Sequence, residues 1–261
     1  MASNSNATIV AIANQKGGVG KSTTAINLGA GIAIQGDRVL VVDLDPQGNT
    51  SSGLGIDRNS IEVSTYEVLI DEVPIDDAIE PTSVRDLYLV PATIELAGAE
   101  IELVSMFSRE TRLAMVLKPV VSEYDFVLID CPPSLGLLTI NGLSAADEVV
   151  IPIQCEYYAL EGVSQLMRNI QLVQQGLNPQ LEVEGVVLTM YDGRTTLSSD
   201  VVGQVRDHFG ETTYKTIIPR TVRLSEAPSY GEPIEAFDPM SRGAIAYREL
   251  AREFRRRHGR T

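Results

Sequence analysis

Asn14-Gln15-Lys16-Gly17-Gly18-Val19-Gly20-Lys21-Ser22-Thr23-Thr24 stands between a short apolar run, ATIVAIA (7–13), and a segment with helical character, residues 22–35. Strand, glycine-rich turn and helix start follow one another in the order that a phosphate cradle requires. Glycines let backbone N–H groups converge on phosphate oxygens with no Cβ in the way, and the helix N-terminus adds partial positive charge. Lys21 is placed to reach the β and γ phosphates of a nucleotide. Ser22 is placed to offer its hydroxyl to Mg²⁺, which prefers octahedral oxygen coordination and keeps several waters. Gly17, Gly18, Val19, Gly20 and Thr23 complete the predicted cradle. The loop departs from G-x-x-x-x-G-K-[ST] in two ways: Gln15 occupies the first glycine position, and a second lysine, Lys16, lies beside it.

Downstream, RVLVVD (38–43) reads as a second strand, followed by a polar loop through Gly55. This is a βαβ start. Further strand-like runs are YDFVLID (124–130), EVVIPIQ (148–154), VEGVVLTM (183–190) and TTYKTIIP (212–219). Between and after them, helices are predicted near Arg109 to Val121, from about Leu137, at about Ala159 to Gln174, at about Leu197 to Phe209 and at about Gly243 to Arg257. Strands that are continuously apolar and separated by helices imply a parallel sheet covered on both faces. The predicted fold is therefore α/β: a single domain over residues 1–261 with a mostly parallel central sheet, since no repeat or linker marks a second unit.

Ligands of such sheets bind at the carboxyl ends of the strands, so acids there are the candidates for chemistry. Asp45, just past the second strand, is expected to position an attacking water and to take part in the metal site. Asp43, still within the strand, is expected to hold the metal's water shell or the loop. Asp130 ends the strand FVLID and is expected to bind Mg²⁺ through water.

Composition narrows the alternatives. In 261 residues there are two cysteines, Cys131 and Cys155, and no tryptophan. Neither a disulfide framework nor a zinc motif is expected, and aromatic stacking on single-stranded nucleic acid is not supported. The longest apolar runs have strand length, well below the roughly 18 residues of a membrane span, so a cytoplasmic protein is expected. The formal charge is −14, but it is uneven: residues 1–193 hold 9 cationic and 26 anionic side chains, and residues 194–261 hold 12 and 9. Only the last quarter is positive.

Taken together, NQKGGVGKSTTAINLG, VLVVDLDPQGNTSSGLG, LIDCPPSLGLLTINGLSAAD and IIPRTVRLSEAPSYGEPI resemble the chromosomal ParA family over nearly the whole chain. The two-lysine loop resembles the deviant Walker A motif of the ParA/MinD ATPases. That resemblance implies a slow ATPase using ATP and Mg²⁺, in which two copies sandwich the nucleotide and Lys16 reaches across to the partner's phosphates. It further implies non-specific binding of double-stranded DNA by the ATP dimer, release when a ParB-like partner stimulates hydrolysis, and a nucleoid-associated location. Pro219 falls where relatives cradle adenine. With seven residues ahead of Thr8, a helix-turn-helix extension is not expected.

Arg194, Arg220 and Arg223 align with the family's DNA-contact region and lie in the one positive stretch. Phosphate contacts of this kind give affinity without base readout. Arg252 is added from the last helix, where Arg248, Arg252, Arg255 and Arg256 fall mostly along one face. A charged helix face is also ordinary solvated surface. Two readings compete: a MinD-like membrane-associated positioning ATPase, and a ParA-like ATPase that positions a protein cargo. The first needs a broad apolar face on the last helix. That face is thin here, so no stable membrane association is expected.

Overall fold

Side chains alternate between the two faces of a strand, so a strand covered on both sides must be apolar at every position. The computed structural model, which describes residues 7–157 and 159–260, shows this arrangement. Its strands are β1 (Thr8–Ile12), β2 (Val39–Asp43), β3 (Glu80–Pro81), β4 (Leu87–Val90), β5 (Phe126–Asp130), β6 (Glu148–Gln154), β7 (Glu182–Tyr191) and β8 (Thr213–Pro219). They form one sheet in the order β3-β4-β2-β5-β1-β6-β7-β8. Every pairing is parallel except that of β3 with β4.

The helices are α1 (Lys21–Ile34), α2 (Asn49–Gly53), α3 (Thr65–Ile70), α4 (Leu96–Glu102), α5 (Arg112–Leu117), α6 (Leu137–Ala145), α7 (Ala159–Gly176), α8 (Thr196–Phe209), α9 (Val222–Glu226), α10 (Ile234–Phe237) and α11 (Arg242–Arg257). On one face of the sheet Leu40, Val42, Val127 and Ile129 pack with buried residues of α3 to α8. On the other, Val39, Val41, Phe126 and Leu128 pack with α1, α9, α10 and α11. One sheet therefore separates two apolar layers. Helix α1 is pressed between sheet and α11 so closely that a Cβ on Gly31 would lie 2.8 Å from Cβ of Ala251. Only glycine allows that approach.

The predicted α/β class and parallel sheet are both present. The expected helix over residues 109–121 is shorter, and at its far end Pro119 lacks the N–H that would carry the helical hydrogen bonds onward. What remains is α5 and a 3₁₀ turn at Val121–Glu123. The sequence pattern assigns no element between Gly55 and Arg109, yet β3, β4, α3 and α4 lie there. β4 contributes only the four residues LYLV, and β3 is a two-residue edge strand ending in proline, as suits a sheet edge.

Candidate active site

Strand order reverses around β1: the chain leaves β1 toward β2 and β4 on one side and later reaches β6, β7 and β8 on the other. A crevice opens outside the carboxyl ends of strands at such a switch point. Here it is a cleft of about 780 Å³ lined by Gly17, Gly18, Gly20, Lys21, Ser22, Thr23, Asp45 and Pro219, among others. Residues 14–24, 43–45 and 219, far apart in the chain, thus meet at one edge of the sheet.

The phosphate loop is held by its neighbours. The Asn14 side chain donates to the Pro152 carbonyl at 2.7 Å and accepts from the Lys16 N–H at 3.0 Å. From β7, the Thr189 hydroxyl donates to the Val19 carbonyl at 2.8 Å. Gly18 and Gly20 have φ of 73° and 91°, a region that side chains rarely adopt. The first turn of α1 carries neither an acidic residue nor a side-chain cap, although its leading N–H groups have no partner within the helix. They remain as donors at the cleft.

Lys21 is only 6% exposed, and its Nζ makes one long hydrogen bond, 3.4 Å, to the Lys16 carbonyl. Burial lowers its pKa; the charges of Asp130, Asp45 and Cys131 act the other way without cancelling that effect. A buried, poorly satisfied ammonium is costly to the empty fold and fits an anion arriving in the cleft.

Opposite it, Asp43 and Asp130 are cross-strand neighbours, both fully buried. Asp43 accepts from the Ser51 N–H at 2.8 Å, the Ser51 hydroxyl at 2.7 Å and the Asp45 N–H at 3.2 Å. Its carboxylate holds the loop; it does not line the cleft. Asp130 accepts from the Thr50 hydroxyl at 2.7 Å, while its Oδ1 is buried with no partner. Burial raises the pKa of both, and the charge of Asp130 raises that of Asp43 further, against hydrogen bonds from Ser51 and Asp45. For Asp130, the Ser22 and Thr50 hydroxyls and Lys21 oppose the rise. Asp45 uses one oxygen for the Gln47 N–H at 2.9 Å and lines the cleft.

An orphaned carboxylate oxygen beside the Ser22 hydroxyl and Asp45 is an all-oxygen donor set that fits Mg²⁺. Among the described residues no group of three His, Cys, Asp or Glu side chains forms a metal cage. Mg²⁺ is commonly held by one or two carboxylates together with phosphate and water.

Lys16 and Val19 do not line the cleft, and Asp130 lies beneath it. Val19 is buried, so its backbone is its contribution. Three residues that sequence reasoning missed shape the site. Arg58 donates to the carbonyls of Gln47 and Gly48 at 2.5 and 3.1 Å and to the Ser52 hydroxyl at 2.9 Å, pinning the loop after Asp45. Thr50 holds Asp130, and Tyr247 of α11 reaches the cleft wall, its hydroxyl 3.3 Å from that of Thr24. The polar run Asn49-Thr50-Ser51 after Asp45 was the available signal for Thr50; nothing local marks Arg58 or Tyr247.

The four arginines expected at a DNA surface are exposed and paired. Arg194 bonds Asp192 at 2.6 Å, Arg220 bonds Glu156 at 3.2 Å, Arg223 bonds Glu226 at 3.1 Å and Asp238 at 3.2 Å, and Arg252 bonds Glu249 at 2.5 Å. Arg194 and Arg220 follow β7 and β8 at the cleft edge of the sheet. Arg252 lies one turn from Arg255, which bonds the buried Asp37 at 2.6 Å, at the opposite edge. Arg255 is thus a fastener, as is Arg260, which bonds Asp37 and Asp125 at 2.5 and 2.8 Å.

Such a sheet, with a two-lysine phosphate loop and aspartates at the neighbouring strand ends, defines a P-loop nucleoside triphosphatase. A family model described as an AAA domain matches residues 7–183. The sporulation initiation inhibitor protein Soj of Bacillus subtilis is 58% identical over 94% of this chain and 97% of its own length. The chromosome partitioning protein ParA of Myxococcus xanthus is 54% identical over 95% of this chain and 88% of its own. Among solved structures, one titled cobyrinic acid a,c-diamide synthase from Mycobacterium smegmatis, with bound ATP analog and magnesium, has a TM-score of 0.83 at 44% identity, covering 94% of this chain and 93% of that one. The chain belongs to the ParA family, and it is an ATPase of the chromosome-partitioning type.

Proposed function

We propose that this chain is a nucleotide-controlled partition switch: with ATP and Mg²⁺ bound, two copies pair and hold double-stranded DNA without sequence preference, and hydrolysis, stimulated by a ParB-like partner, ends both. The observation that carries this reading is Lys16. It stands at the phosphate loop, does not line its own chain's cleft, and has no ion pair among the described residues. A cation so placed serves a second copy's nucleotide better than its own. The identities to partition proteins also exceed that to the structure titled as a diamide synthase.

In this reading the loop amides from Gly17 to Thr23 cradle the phosphates, and Lys21 neutralises charge between the β and γ positions. Ser22 and Asp45 act as metal ligands, and Asp130 holds the metal's water shell. When bound, Mg²⁺ supplies positive charge to the phosphate oxygens. Asp45 orients the attacking water with the oxygen not used by Gln47, and Pro219 packs on the base. The partner's Lys16 adds charge where it develops in the transition state, which ties turnover to pairing.

For DNA, Arg194, Arg220, Arg223 and Arg252 exchange their own carboxylates for backbone phosphates. Exposed ion pairs are worth only about 0–1 kcal/mol, so the exchange costs little. No helix among the described residues is long and apolar enough to cross a membrane, and the reading assigns no membrane partner.

The test is Asp45→Ala. Sedimentation and DNA retention should show an ATP dimer that persists on DNA, with turnover reduced by about 100-fold. Unchanged turnover removes Asp45 from this role, and a chain that stays monomeric with MgATP ends the proposal.

A further inference from the structure

Six residues, Cys131-Pro132-Pro133-Ser134-Leu135-Gly136, separate Asp130 from α6. Pro133 forms part of the cleft wall, so this loop joins the carboxylate below the cleft to the surface that faces the nucleotide. Its two ends are fixed differently. At the start, the Cys131 N–H donates to the Ile12 carbonyl at 3.2 Å. At the far end the helix begins without a side-chain cap of its own, because the preceding residue is Gly136.

Glu100, from α4, fills that position. Its carboxylate accepts from the Leu137 N–H at 2.7 Å and the Leu138 N–H at 3.2 Å, across 37 and 38 residues of sequence. A carboxylate on the first N–H groups of a helix is favoured by both hydrogen bonding and the helix dipole. Its approach is so close that a Cβ on Gly136 would fall 2.1 and 2.3 Å from the two carboxylate oxygens. The glycine is the opening through which Glu100 enters. The post is itself fixed, since Leu96, Ala99 and Leu103 around Glu100 are buried in the core. From inside the same turn, the Thr139 hydroxyl donates to the Ser134 carbonyl at 2.6 Å. Among the hydrogen bonds of the described residues, those left at the far end without Glu100 come from within the loop and its own helix.

We propose that Glu100 is a positioning residue for ATP hydrolysis, which sets the 131–136 loop against the cleft by holding the start of α6. It does not line the cleft. The inference rests on the ATPase reading of the cleft. It goes beyond that reading by placing part of the control of turnover in α4, outside every motif that binds nucleotide. Because misplacement of a wall near reacting groups costs rate more than binding, the effect belongs in kcat.

The experiment compares Glu100→Ala, Glu100→Gln, Gly136→Ala and the Glu100→Ala/Gly136→Ala double variant with the wild-type full chain, using MgATP turnover and amide hydrogen exchange. Glu100→Ala should lower kcat by about 10-fold with KM for ATP within about twofold, and should speed exchange at Leu137 and Leu138. Glu100→Gln keeps an acceptor oxygen and should recover most of the rate. Gly136→Ala expels the carboxylate without removing it and should match Glu100→Ala, and the double variant should be no worse than either single one, because both remove one contact.

A kcat within twofold of wild type in Glu100→Ala overturns the proposal, even where exchange rises. So does a loss carried by KM, failure of glutamine to rescue, or additive losses in the double variant. A silent wild type, by contrast, would sink the ATPase reading itself, and only in that case would all the chains be equally silent.

Discussion

Replacing Lys21 by methionine should make the nucleotide-free chain more stable while depriving it of its ligand. Lys21 is 6% exposed, and its ammonium has one hydrogen bond of 3.4 Å. Burial lowers its pKa despite Asp130 and Asp45 nearby, so the empty fold holds the charge less well than water does. The sign follows: the cost to stability is present while the lysine is charged, and is relieved as pH rises through the lowered value. Methionine keeps the length of the side chain and removes the charge. Each unit by which burial outweighs the attraction of Asp130 and Asp45 is about 1.4 kcal/mol, so removing the charge should stabilise the empty fold by a gain on the order of 1–2 kcal/mol. At about 2–4 °C per kcal/mol for a chain of this size, Tm should rise by roughly 2–8 °C.

With ligand the order reverses. At 100 times Kd, MgATP stabilises the wild type by about 2.7 kcal/mol, or roughly 5–11 °C, and should leave Lys21→Met unmoved. Thermal unfolding of both chains, with and without MgATP, is the assay. A variant that melts below the wild type without nucleotide refutes the electrostatic reasoning, and one that still shifts with MgATP refutes the assignment of Lys21.

Gly18→Val places a branched side chain where no atom of this chain beyond the adjoining residues lies within 4 Å of the added Cβ, although φ of 73° strains it. The variant should fold and stay monomeric with MgATP, and normal ATP-dependent dimers in sedimentation would contradict this. Arg223→Glu reverses a cation now bonded to Glu226 and Asp238, and should weaken DNA retention by about 10-fold with a shallower salt dependence. Intact retention at moderate salt would mean the patch lies elsewhere. His258 bonds Glu148 at 2.8 Å; burial alone would lower its pKa, but that bond, the Phe254 carbonyl and the charges of Glu148 and Glu184 leave it raised. Its contribution to stability is complete below the ordinary histidine value and is lost as pH climbs through the raised one. Glu148→Gln should therefore flatten the fall in Tm between pH 6 and pH 8 and lower the imidazole pKa seen by NMR, and an unchanged titration would refute the pairing.

The phosphate loop was legible because its chemistry is local: glycines, lysine and hydroxyls must be contiguous to surround one phosphate chain. Asp43, Asp45 and Asp130 were legible because strand ends deliver side chains to the ligand edge of a parallel sheet. Arg58, Thr50, Tyr247 and Glu100 were not. Each acts through a contact 10 to 223 residues away, and hydrogen bonding across such distances leaves no periodicity to read. The arginines of residues 194–260 show a different limit. Spacing places Arg255 on a charged helix face, but only the fold reveals that this face meets Asp37. β3 and β4 were missed for a third reason, since two residues of β3 and the four residues LYLV of β4, set between polar turns, carry too few alternations to outweigh a loop.

The position of β1 has a consequence for synthesis. Its hydrogen-bonded neighbours are β5 and β6, both made long after it, and Thr8 finds its partner only when Phe126 has been added. At about 5–20 residues per second, the first strand waits roughly 6–24 s with both edges bare. During that interval the nascent chain carries an apolar ribbon and a phosphate loop with nothing to brace it, which is the period when chaperones would have most to hold. β1, the earliest strand of this sheet in chain order, is paired only after β2 can already have met β4.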